Sequence, residues 1–174
     1  MSIERIQQVV RDIPDFPKPG VSFKDITPVL LDPALLQDVV ALMSAPFKGE
    51  GLTHVVAIES RGFLLGAPIA VALRAGLVPI RKPGKLPHHR ERIDYALEYG
   101  TDALEIHRDA LGAGDRVLVV DDVLATGGTA AAAGQLVRGR GANLVGYSFL
   151  IELGFLRGRG KLDGSRVEAL LRYA

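Results

Sequence analysis

Cysteine is absent from the 174 residues. A disulfide framework, thiolate zinc sites and a cysteine nucleophile are excluded together. Neither sign of charge is in surplus: 21 Lys plus Arg face 20 Asp plus Glu, a formal charge of +1. No global basic field exists to hold a nucleic-acid backbone, and any cationic site must be local. Long apolar runs are also missing. The longest, from Phe63 to Leu73, is interrupted by Gly66 and Pro68 and falls short of the roughly 20 residues of a membrane span. The opening MSIERIQQVV puts charge and amide groups where a signal peptide needs an apolar block. A cytoplasmic protein with no membrane or nucleic-acid partner is expected. Internal repeats are not visible.

What is present is an ordinary globular composition, 48% hydrophobic and 24% charged, in a length that suits one domain. Ile3, Ile6, Val9, Val10 and Ile13 recur at steps of three and four, which predicts an amphipathic helix ending before Pro14. The stretch DFPKPGVSFKDITPVLLDP is dense in proline, glycine and aspartate and reads as a loop with apolar anchors at Val21, Phe23 and Ile26. Asp32 reads as an N-cap, with Pro33 opening a helix to about Ala45. From Thr53 short β-rich runs alternate with Ala-rich helical ones. Strands are predicted at 54–58, 77–81, 116–120 and 144–151, weaker ones at 95–99 and 104–107, and helices at 62–74 and 128–138. The alternation predicts an α/β domain with a largely parallel sheet. KPGKLPHHRERID reads as an exposed, mobile insert between strands. Its adjacent His88 and His89 point apart on an extended chain, which argues against a shared metal.

The stretch VLVVDDVLATGGTA carries the chemistry. A strand ends in Asp121 and Asp122, and a loop of small residues then opens a helix. Ala125, Thr126, Gly127, Gly128 and Thr129 lack bulk, so their amides can converge at the positive end of that helix and form a phosphate cradle. Two adjacent carboxylates suit the hydroxyls of a ribose diol, and acids beside a phosphate site suggest a sugar phosphate. Neither G-x-x-x-x-G-K-[ST] nor a strand-linked G-x-G-x-x-G occurs, so nucleoside triphosphate hydrolysis and dinucleotide redox chemistry lose support.

This motif resembles the phosphoribosyl-diphosphate-binding motif of the type I phosphoribosyltransferases. FPKPGVSFKDITPVL, IESRGFLLGAPIA, IRKPGKLP, YALEYG and IELGFLRGRGKL resemble, in the same order, the adenine phosphoribosyltransferases within that family. The resemblance covers nearly the whole chain. It implies a mainly parallel twisted sheet flanked by helices, with a small hood over the C-terminal strand edge formed by the 14–30 loop and the C-terminal region. A mobile catalytic loop would cover about 82–98.

The reaction implied is displacement of pyrophosphate from phosphoribosyl diphosphate by adenine, giving AMP. By resemblance, Asp121 and Asp122 hold the ribose diol, and residues 125–129 hold the 5-phosphate. Glu59, Ser60 and the following helix entry make a second anion site for pyrophosphate, with a cis peptide between Glu59 and Ser60. Arg61, Arg81 and Lys85 supply cations. Magnesium is implied as cofactor, held mostly by the substrate rather than by a protein cage. Phe23 stacks on the purine, the backbone of Ser22 and Lys24 reads its polar edge, and Leu156 closes the opposite face. The absence of a cation before Arg157 in IELGFL favours adenine over a 6-oxopurine. Glu98 handles the imidazole proton, and the catalytic set is Glu98, Arg61 and Lys85. A homodimer is implied, with Arg81 near the partner's site.

Bland readings compete: Phe23 and Leu156 as core packing, Arg81, Lys85 and Glu98 as surface charge. Two alternative functions compete as well. One is a ligand sensor on the same fold that binds nucleic acid, disfavoured by the charge of +1 and by the lack of room for an added basic domain. The other is the same enzyme acting on hypoxanthine, guanine or xanthine.

Overall fold

In the computed structural model, which describes residues 3–97 and 100–174, the chain begins with helix α1 (Ile3–Val9) and strands β1 (Arg11–Ile13) and β2 (Phe23–Asp25). Helices α2 (Thr27–Leu31) and α3 (Pro33–Ser44) follow, then β3 (His54–Ile58), α4 (Arg61–Leu73) and β4 (Gly76–Ile80). The second half runs β5 (Arg90–Ala96), β6 (Thr101–His107), β7 (Arg116–Leu124), α5 (Gly128–Gly139), β8 (Asn143–Leu153) and β9 (Val167–Tyr173). Five strands form one parallel sheet in the order β4-β3-β7-β8-β9. The α/β class and parallel sheet read from the alternation are therefore present.

Residues 117–120 are all buried, because β7 is central and has helices on both faces. Val117 and Val119 pack on the α5 side with Ala133, Val137 and Phe149. Leu118 and Val120 face the other way, toward Leu35, Val39, Leu65 and Ile69 of α3 and α4. The period of two thus builds two cores from one strand.

Asp32 caps α3 as predicted, its Oδ1 accepting from the N–H groups of Ala34 (2.8 Å) and Leu35 (3.2 Å). Several expectations are corrected. Helix α1 stops at Val9, and 11–13 pair antiparallel with 23–25, because Pro14 pushes Ile13 into extended backbone. Thr27–Leu31 is a helix rather than loop, its start tied by Thr27 N–H donating to Asp25 Oδ1 at 2.9 Å.

The stretch read as an exposed, mobile insert, residues 82–94, carries the first five residues of β5, which forms an antiparallel hairpin with β6. In this strand Arg90, Arg92 and Asp94 are exposed while Ile93 and Tyr95 turn toward the core, so a half-buried strand accommodates the charges. His88 sits in a bend, and its ring lies 4.8 Å from that of His89 and 6.2 Å from that of His107. The two neighbouring rings are therefore not splayed. No set of three potential ligands among the described residues is arranged to hold a metal. Strand β9 had no counterpart in the reading of the sequence.

Candidate active site

The site is built where β3 and β7 end. β3 delivers Glu59 and Ser60, joined by a cis peptide, to the N-terminus of α4. Arg61 is the first residue of that helix. β7 runs on through Asp121 and Asp122 to Leu124, two to four residues further than the apolar run suggested. The loop 125–127 then turns through Gly127, at φ +81°, into α5. The first N–H groups of α5 have no partner within the helix and are free to bond beyond it.

A cavity of about 470 Å³ joins these elements to the Val21–Lys24 segment and to Leu153 and Leu156. Among the predicted residues, Ser22, Phe23, Lys24, Glu59, Ser60, Arg61, Asp121, Asp122, Ala125, Thr129 and Leu156 all line it. Thr126, Gly127 and Gly128 line a smaller adjoining cavity of about 90 Å³, shared with Asp121, Ala125 and Thr129. Phe23 is half-buried, with the Phe16 ring edge-on at 5.2 Å and the Arg61 guanidinium 4.7 Å from its centroid. The site therefore brings an aromatic face, two carboxylates and the small-residue loop before α5 together.

Its charges are mutually paired. Arg61 Nε bonds to Oδ2 of the buried Asp122. Arg81 and Lys85 do not line the cavity but meet at Glu59: Arg81 Nε donates to Oε2 at 3.1 Å and Lys85 Nζ to Oε1. The backbone N–H of Lys82 adds a third bond to Glu59, at 3.0 Å. Burial works to raise the Glu59 carboxyl, but these hydrogen bonds from Lys85, the Lys82 backbone and Arg81 outweigh it and hold its pKa below the ordinary value. Asp121 behaves oppositely. Desolvation, followed by the neighbouring Asp122 charge, pushes its pKa well above 3.8. An anion entering the cavity meets Arg61 already paired with Asp122, and drawing Arg61 away frees a carboxylate that can accept hydroxyls.

Lys82 was missed by the reading of the sequence, although it lines the cavity between the predicted Arg81 and Lys85. Its signal was the second of the three cations in the IRKPGK run. Lys82 Nζ bonds to Asp102 and, at 3.3 Å, to the Tyr95 hydroxyl, which also accepts from Thr129 Oγ1 at 3.2 Å. Burial opposes protonation of Lys82, but the bond to Asp102 and that to Tyr95 raise its pKa. The β5–β6 hairpin is thereby tied to Thr129 at the start of α5. Glu98 lies outside the described residues.

Residues 29–162 match the model of the phosphoribosyl transferase domain. The chain is 60% identical over 164 residues to adenine phosphoribosyltransferase of Myxococcus xanthus (strain DK1622), spanning 94% of this chain and 89% of that protein. Among solved structures it is similar to adenine phosphoribosyltransferase from Thermoanaerobacter pseudethanolicus, with a TM-score of 0.97 at 48% identity, covering 99% of this chain and 100% of that one. The enzyme from Saccharomyces cerevisiae, solved with an imino-altritol bisphosphate and adenine, aligns with a TM-score of 0.92 at 42% identity over 97% of this chain and 98% of its own. The parallel sheet, the acid pair leading into the small-residue loop before α5 and this near full-length similarity together establish that the chain belongs to the adenine phosphoribosyltransferase family.

Proposed function

We propose that the protein transfers the 5-phosphoribosyl group from phosphoribosyl diphosphate to adenine, giving AMP and pyrophosphate, a purine salvage reaction. The observation that carries this is the convergence of Phe23, Asp121–Asp122 and the 125–129 cradle on one cavity. The imidazole nitrogen of adenine forms a bond to the anomeric carbon as the carbon–oxygen bond to pyrophosphate breaks. The electron pair leaves with pyrophosphate, and the proton of the attacking nitrogen goes to a base, assigned to Glu98 on its place in YALEYG.

Phe23 stacks on the purine opposite Leu156, while backbone groups of Ser22 and Lys24 read its edge. Residues 125–129 take the 5-phosphate, and Asp121 and Asp122 take the ribose diol. Charge builds on the departing pyrophosphate, and fixed cations there lower the barrier. Arg61, Arg81 and Lys85, with Ser60 at the entry of α4, are the groups that supply this, and Lys82 joins them.

Magnesium belongs to the same reading. It prefers oxygen ligands, keeps several waters, and commonly binds through one or two carboxylates together with substrate phosphates. The oxygens of Asp121 and Asp122 on the cavity wall suit that chemistry beside a substrate that holds most of the ion. When bound, it supplies neutralisation of phosphate charge.

A homodimer is also proposed. Leu64 and Val71, one heptad apart on α4, are 52% and 79% exposed, and Leu77 on the edge strand β4 is 44% exposed. An apolar stripe of this kind is a natural surface for a second copy, and Arg81 follows directly from β4. No helix among the described residues is long and apolar enough to cross a membrane. A cytoplasmic setting is in keeping with the lack of cysteine.

The test is magnesium-dependent pyrophosphate release from phosphoribosyl diphosphate, with adenine, hypoxanthine, guanine and xanthine in separate reactions. Turnover with adenine alone is expected. Turnover with another base would overturn the reading of the base pocket. Binding of phosphoribosyl diphosphate without turnover on any base would favour a sensor.

A further inference from the structure

The base side and the phosphate side of the cavity meet through one short segment of two 3-10 turns, Gly154–Leu156 and Gly158–Lys161. Leu156 lines the cavity together with Ser22–Lys24. Two residues on, the backbone of the buried Gly158 lies directly against the phosphate loop. A Cβ on Gly158 would fall 2.2 Å from the Ala125 carbonyl oxygen and 3.0 Å from the Gly127 nitrogen, and a Cβ on Gly127 would fall 2.3 Å from the Gly158 carbonyl oxygen. No side chain separates the two backbones, so neither can move toward the other.

The segment is itself held to the sheet. Arg159 donates three hydrogen bonds of 2.8–2.9 Å to Glu152, whose side chain on β8 is 3% exposed, and a fourth of 2.8 Å to the Val167 carbonyl at the start of β9. Gly154 is pressed against β9, where a Cβ would lie 3.1 Å from the Tyr173 carbonyl oxygen. Leu162 closes the segment in the core at 1% exposure. Function as a cradle or a stacking face explains neither the Gly127–Gly158 contact nor the forked Arg159–Glu152 pair.

We infer that the 154–161 segment is a spacer that sets the distance between the base-facing Leu156 and the 5-phosphate loop, with Gly158 and Arg159 as its positioning residues. The inference rests on reading the cavity as the site of adenine and phosphoribosyl diphosphate. A nucleotide carries base and phosphate at a covalently limited separation, so it senses the spacing. Free adenine and free ribose 5-phosphate each occupy one half and do not. Displacement of one binding group by about 1 Å is enough to cost on the order of a hundredfold in rate when two groups must be engaged together.

Calorimetric titration of AMP, adenine and ribose 5-phosphate against the full-length protein and its variants tests this. In Gly158→Ala the Kd for AMP is expected to rise at least about tenfold, while adenine and ribose 5-phosphate each stay within about threefold of wild type. Local damage to one half-site would instead weaken AMP and one fragment equally, and that result, or an unchanged Kd for AMP, overturns the inference. Should Gly158→Ala fail to fold, Arg159→Lys keeps a positive charge beside Glu152 but loses the fork. Weaker AMP binding with both fragments preserved is expected there too, and an unchanged AMP affinity in this variant is equally decisive against the spacer. Failure of the wild-type protein to bind AMP would refute the functional reading itself, whereas wild-type binding with insensitive variants refutes the spacer alone.

Discussion

At the scale of single residues, the two adjacent aspartates have opposite electrostatic roles. Asp122 is neutralised by Arg61, whereas Asp121 is desolvated beside another carboxylate with its pKa raised. Gly62 permits this crowding, since a Cβ there would lie 2.8 Å from Asp121 Oδ1. An acid whose pKa is raised by folding contributes stability below its ordinary value of 3.8 and loses it as pH rises through the higher folded value. At pH 7 Asp121 therefore destabilises the fold. Asp121→Asn, which keeps the acceptor for the Asp122 N–H, is expected to melt higher at pH 7, by about 2–4 °C for each kcal/mol of desolvation and repulsion relieved. The same variant should turn over more slowly. A calorimetric scan and an activity assay on one sample check the pair of effects.

Asp122→Asn is expected to weaken phosphoribosyl diphosphate by about 1–3 kcal/mol for each charge-assisted bond lost, leaving adenine affinity unchanged. Selective loss of adenine binding would reverse the assignment. Glu98→Gln is expected to lower kcat far more than it alters either KM, and steady-state kinetics distinguish a base from a surface charge.

At the scale of elements, the β8 end and the turns beyond it depend on Glu152. Hydrogen bonds from Arg159 outweigh desolvation and hold this buried carboxyl below its ordinary 4.5. The ion pair's contribution is complete above about that pH and is lost as pH falls through the lower folded value. Glu152→Gln is expected to lower stability at pH 7 by about 1–3 kcal/mol and to flatten the acid limb of a Tm–pH curve. Unaltered acid dependence would show that other carboxylates dominate it. The hairpin β5–β6 illustrates a different element-scale effect. Its outward charges made it read as loop, yet Tyr95 and Lys82 connect it to Thr129 and so to the phosphate cradle.

For the whole molecule, the exposed Leu64 and Val71 are among the apolar side chains that an isolated, well-packed domain does not require. Leu64→Glu with Val71→Asp is expected to convert the proposed dimer to a monomer in sedimentation velocity. The fold should survive, because neither side chain belongs to the buried cores around α4. Activity is expected to fall with dissociation if Arg81 serves the neighbouring site. A double variant that sediments like the wild type would place the interface elsewhere.

The sequence alone determined the sheet's central strands, the acid pair, the small-residue loop that opens α5 and the α/β class. Each depends on contiguous residues whose local pattern is dictated by period, cap and turn chemistry: an apolar run buried on both faces, Asp32 before Pro33, small residues before a helix. Tertiary structure alone decided which charges meet. Arg61 finds Asp122 across 61 positions, Lys82 finds Asp102 and Tyr95, and Arg81 and Lys85 converge on Glu59. It also decided that β9 joins the sheet, that 90–96 is a strand, and that Gly158 backs the phosphate loop. Such contacts come from chain closure over long separations, and no local propensity encodes them.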